Sequence, residues 1–97
     1  MYQSHHRKSC FEEDIWDYRL PVALSDDFAG YVDDLGGFDA PVPGRPLRRM
    51  ETERFVLTGT VGKRRLTVRI TGADDPDDVR ATVEERLDEF LAAQLTE

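Results

Sequence analysis

The sequence predicts an α+β fold: a small single-layer antiparallel sheet packed by two helices, in the approximate order β-α-β-β-α. Three observations predict it. The C-terminal stretch carries an apolar stripe at helical spacing. Residues 55–70, FVLTGTVGKRRLTVRI, alternate apolar and polar residues on both sides of a glycine, as a hairpin does. A third run, Trp16-Asp17-Tyr18-Arg19-Leu20, alternates in the same way.

The first ten residues, MYQSHHRKSC, lack the apolar core of a secretion signal and read as a disordered tail, leaving 11–97 as one domain. A short strand is expected at 15–20. Pro21, which has no N–H to donate, confines that strand to an edge or ends it near Leu20. The competing reading is a helix from Ser9, with Glu12 closing a capping box and Phe11, Ile15 and Tyr18 on one face. Next, Ser25 is placed to cap a helix whose Phe28, Tyr31, Val32 and Leu35 share a face and which Gly36 and Gly37 end. Residues 39–47, DAPVPGRPL, hold three prolines and form an extended linker.

The hairpin is expected as strands 53–61 and 64–71, with Gly62-Lys63 as the turn residues. In that register Phe55, Leu57 and Gly59 oppose Ile70, Val68 and Leu66 on one face. Val56, Thr58 and Thr60 oppose Arg69, Thr67 and Arg65 on the other. A one-residue slip would mix the two sets, so the pattern fixes the register. The last helix is expected over 76–94. Asp75 is its N-cap, Pro76 takes the first helical position, and Val79, Val83, Leu87, Phe90, Leu91 and Leu95 form its buried stripe. Arg80 and Glu84 are an i, i+4 ion pair.

The chain of 97 residues carries a net charge of −7, with 34% of its residues charged. Such acidity argues against general affinity for nucleic acid or anionic membranes, and no 18-residue apolar run could span a bilayer. The charge is segregated, however. Residues 11–44 carry −8 and 70–97 carry −7, whereas 45–69 carry +6. A single cysteine, Cys10, cannot form an internal disulfide, and a cytoplasmic location is expected.

Candidate chemistry is sparse. The GxxG of Gly59–Gly62 is not a phosphate-binding loop, because it joins two strands and has Arg64 where a Ser or Thr would follow the lysine. His5, His6 and Cys10 are the metal candidates, yet no second Cys or His pair completes a zinc set. The serines occur in no nucleophile motif, and the paired aspartates sit at helix ends and turns, so neither an enzyme nor a cofactor is expected. What remains is a partner surface. Arg48, Arg49, Arg54, Lys63, Arg64, Arg65 and Arg69 supply cations, with Arg54, Arg65 and Arg69 on the outer sheet face. Trp16, Tyr18, Tyr31 and Phe38 are possible aromatic anchors. These features suggest a small non-enzymatic interaction module that binds a protein partner or itself, with a homodimer expected. The alternatives are a nucleic-acid-binding regulator using the basic hairpin, or an acidic inhibitor that mimics nucleic acid.

Overall fold

The computed structural model describes residues 2–8, 14–71 and 75–95. Among these, five strands form one antiparallel sheet and two helices pack against it: β1 (Gln3–Lys8), β2 (Asp14–Arg19), α1 (Asp27–Val32), β3 (Leu47–Glu51), β4 (Phe55–Thr60), β5 (Arg65–Ile70) and α2 (Pro76–Leu95). The strand order is β1-β2-β5-β4-β3. The fold class is the one expected, with two more strands than the sequence suggested.

The β4–β5 register matches the expected one pair for pair, from Phe55 opposite Ile70 to Gly59 opposite Leu66. Only the turn differs. The Lys63 N–H bonds the Thr60 carbonyl at 3.0 Å, so Val61 and Gly62 are the central residues, and Gly62 takes the positive φ of 90° that the turn needs. Lys63 and Arg64 are thereby free to hold the loop after β2. Their carbonyls accept from Leu24 N–H (2.8 Å) and Leu20 N–H (2.9 Å), while Gly62 N–H donates to the Leu24 carbonyl (2.8 Å).

Strand β2 ends at Arg19, before Pro21, but it is internal: β1 pairs one side and β5 the other. Gln3–Lys8 belong to β1, which corrects the reading of residues 1–10 as a disordered tail. A polar run can add to an edge because backbone hydrogen bonds hold it there without an apolar period in its side chains. Strand β3 was likewise hidden, for the prolines at 41, 43 and 46 precede it and only Met50 is buried. A tight turn at 52–55 joins it to β4: Thr52 N–H donates to the Phe55 carbonyl (2.9 Å), and Thr52 Oγ1 accepts from the N–H groups of Arg54 and Phe55. The first hairpin strand therefore starts at Phe55 rather than 53.

The alternation places Tyr18, Met50, Phe55, Leu57, Leu66, Val68 and Ile70 on one face, in one core with Phe28 and Val32 of α1 and Val79, Val83, Leu87, Phe90 and Leu91 of α2. Both helices therefore cover the same face. Asp75 caps α2 as expected, its Oδ1 accepting from Asp77 N–H at 3.1 Å. Leu95, assigned to the buried stripe, is 50% exposed because α2 runs past the core there. Helix α1 starts later than expected, its N-cap is Asp26 with no side-chain capping bond, and the Ser25 hydroxyl is buried without a partner. The proposed Ser9 capping box lies outside the described residues.

Candidate functional site

Both helices lie on one side of the sheet, and neither covers the other side. The residues that alternate with the core define it. Gln3 and His5 come from β1, and Ile15, Asp17 and Arg19 from β2. Strand β5 adds Arg65, Thr67 and Arg69, β4 adds Val56, Thr58 and Thr60, and β3 adds Leu47, Arg49 and Glu51. Asp17 stands at the centre with its side chain 13% exposed. It accepts from Arg65 Nη2 at 3.0 Å and from the Thr67 hydroxyl at 2.8 Å. Val56 is only 7% exposed although it lies on this face.

Toward the Gly62 turn the face dips into a concavity of about 860 Å³, lined by Gln3, Arg19, Thr60, Lys63, Arg64 and Arg65 among others. A smaller one of about 430 Å³ lies beside it, and the two share Leu47, Thr58 and Thr67. Together they make one continuous trough across the sheet.

The seven cations singled out in the sequence do not form one patch. Arg48 pairs with Gly59 in the β3–β4 ladder and so lies on the helix side, where its Nε donates to Asp26 at 2.9 Å. Arg54, expected on the outer face, sits in the β3–β4 turn and bonds Asp78 of α2 at 2.8 Å. Arg49 is on the open face 3.5 Å from Glu51, and Arg65 is tied to Asp17. Lys63 and Arg64 line the concavity, and Arg69 lines its neighbour. Sequence reasoning missed Arg19 and Asp17, although the inward alternation of Trp16 and Tyr18 implies that both face outward.

The aromatic anchors also separate. Tyr18 (0% exposed) and Phe38 (4%) are core residues and present nothing to a partner. Tyr31 is half-buried against Phe90, with ring centroids 5.8 Å apart. Trp16 faces α2, stacked on His6 (4.3 Å, 11°), with the Arg80 guanidinium carbon 3.4 Å from its ring centroid. Around it, Glu84 accepts from the hydroxyls of Tyr2 (2.9 Å) and Tyr18 (3.3 Å) and pairs with Arg80 at 3.3 Å. Burial pushes the Tyr18 phenol up to about 12; Arg80 pulls it down and Glu84 adds to the rise. Tyr2 is raised further, by burial and then by its bond to Glu84. This cluster clamps β1 and β2 to α2.

The metal candidates do not converge. His5 and His6 are neighbours on a strand and point to opposite faces. His6 is engaged by Trp16 and by Asp14, with Nε2 3.1 Å from Oδ1. Cys10 lies outside the described residues. Among the described residues, no group of three or more His, Cys, Asp or Glu could hold a metal ion, and no helix is long and apolar enough to cross a membrane.

Comparison with protein-family models, with curated proteins and with solved structures gives no match.

Proposed function

We propose that this chain is a protein-interaction module whose contact surface is the open face of the five-stranded sheet. One observation carries the reading: a trough of threonines, arginines and small apolar side chains that neither helix covers. Antiparallel sheets can leave one face to water. A face meant only for water, however, has no need of a concavity or of Val56 sunk within it.

The charge of the face bears on its partner. By register it carries Arg19, Arg49, Arg65 and Arg69 against Asp17 and Glu51. A two-fold dimer through this face would set one net-positive surface against another, so a different protein suits it better than a second copy. Nucleic acid is the weaker reading. Internal ion pairs already engage Arg48, Arg49, Arg54 and Arg65, and among the described residues the face offers no Phe, Tyr or Trp for base stacking.

The test is capture from native extract after nuclease treatment, with the wild type and with Thr58→Trp, which fills the middle of the trough. Glu85→Trp, on the exposed side of α2, is the control. The reading expects a protein captured by wild type and by Glu85→Trp but not by Thr58→Trp. Equal capture by both variants, or loss of the captured protein after nuclease, would overturn it.

A further inference from the structure

Resting on that reading, we infer that the partner engages the trough with an extended acidic segment, whose carboxylates are received at the turn end by Arg19, Arg65, Lys63 and Arg64. Arg19 and Arg65 stand directly opposite one another on adjacent strands, and on the same face. Like charges in that position repel, so their juxtaposition costs stability unless an anion lies between them. Asp17 answers Arg65, at 3.0 Å. Among the described residues, Arg19, Lys63 and Arg64 make no ion pair. All four cations line the same concavity, where Gln3 and Thr60 add neutral hydrogen-bonding groups.

The dimensions favour a segment over a broad surface. Five strands about 4.8 Å apart and five or six residues long give a face of about 20 Å by about 20 Å. In projection that footprint is about 400 Å², small for one side of a standard interface. An extended run of about six residues spans it. A long polyanion fits less well, since beyond the trough it meets a molecule of net charge −7.

The probe is a fluorescein-labelled dodecapeptide of alternating Glu and Ser, followed by anisotropy at about 25 mM and about 150 mM salt. A Gln–Ser dodecapeptide and a twelve-residue oligo-dT are run beside it. Saturable binding of the Glu–Ser peptide is expected, weaker at the higher salt and absent for Gln–Ser. Arg19→Gln/Arg65→Gln should weaken it at least tenfold, and Lys63→Gln/Arg64→Gln at least threefold. Arg54→Gln, which removes one charge off the face, should leave it within twofold. Arg19→Gln alone should raise the melting temperature at low salt, a readout independent of any ligand. The inference is overturned by absence of Glu–Ser binding, by equal loss in Arg54→Gln, or by tighter binding of oligo-dT. If Thr58→Trp still abolishes partner capture in that event, the interaction module stands and only the acidic segment is lost.

Discussion

Gly59→Ala tests how the core and the trough are joined. A β-carbon at Gly59 would lie 2.5 Å from Leu24 Cδ2, 3.2 Å from Leu66 Cδ1 and 3.5 Å from Phe38 Cζ. Carbon atoms in contact sit about 3.5–4.0 Å apart, so the Leu24 methyl must retreat by about 1 Å. Its backbone cannot follow, because Leu24 is bonded through both N–H and C=O to residues 62 and 63. The side chain must therefore leave its rotamer, in an overpacking of about 1–3 kcal/mol. Alanine in a strand recovers about 0.5–1 kcal/mol relative to glycine. The net loss is about 1–2 kcal/mol, which lowers the melting temperature of a domain this size by about 5–15 °C. Thermal and urea unfolding followed by far-UV circular dichroism would measure it. Leu24→Ala in the same background removes the obstructing methyl, so the double variant should be more stable than the two single losses predict, by about 1 kcal/mol. An alanine variant as stable as the wild type, or strict additivity with Leu24→Ala, would refute the argument.

The remaining predictions follow from the α2 side of the sheet. Leu87 is fully buried and Leu95 half exposed, so Leu87→Ala should cost about 2–5 kcal/mol in urea unfolding and Leu95→Ala under about 1 kcal/mol. Arg80→Ala removes both the contact with Trp16 and the pair with Glu84. It should cost about 1 kcal/mol and shift the fluorescence of the one tryptophan to the red as water reaches the ring. Tyr18 is raised from an ordinary value of 10.0 to about 12, so the folded state holds its phenolic proton more tightly than the unfolded state. That contribution is complete below pH 10 and lost as pH rises toward about 12. Stability should thus fall through this window, and Tyr18→Phe should fall less steeply over the same range.

The parts legible in the sequence are those that solve their burial locally. The β4–β5 hairpin sorts its residues between two faces in only one register, and α2 repeats its apolar residues for nearly its whole length. Strands β1 and β3 escape because an edge strand can be held by hydrogen bonds along one side. The sequence Gln-Ser-His-His-Arg-Lys shows no period, and Leu-Arg-Arg-Met-Glu buries one residue. The basic surface was misjudged for a related reason. Its ion pairs join residues far apart in the chain, Arg65 with Asp17 and Arg54 with Asp78, so local composition overstated the cations left to a partner. Arg19 was hidden by its acidic neighbourhood, and only the sheet brings it beside Arg65.

The strand order has a consequence for how the polypeptide could be divided. Strands β1 and β2 are sequential neighbours, as are β3, β4 and β5, and within the sheet the two groups meet only along β2 and β5. No turn sets the register there; the ladder itself, the Asp17 contacts and the bonds from residues 20–24 to the Gly62 loop do so. Residues 41–46, between the groups, are exposed throughout. Cut between Pro43 and Gly44, the protein should assemble from two co-expressed fragments: one carries β1, β2 and α1, the other β3, β4, β5 and α2. Co-purification of the fragments with a far-UV spectrum like that of the intact chain would show it. Neither piece closes a core alone, so each serves as the template on which the other folds.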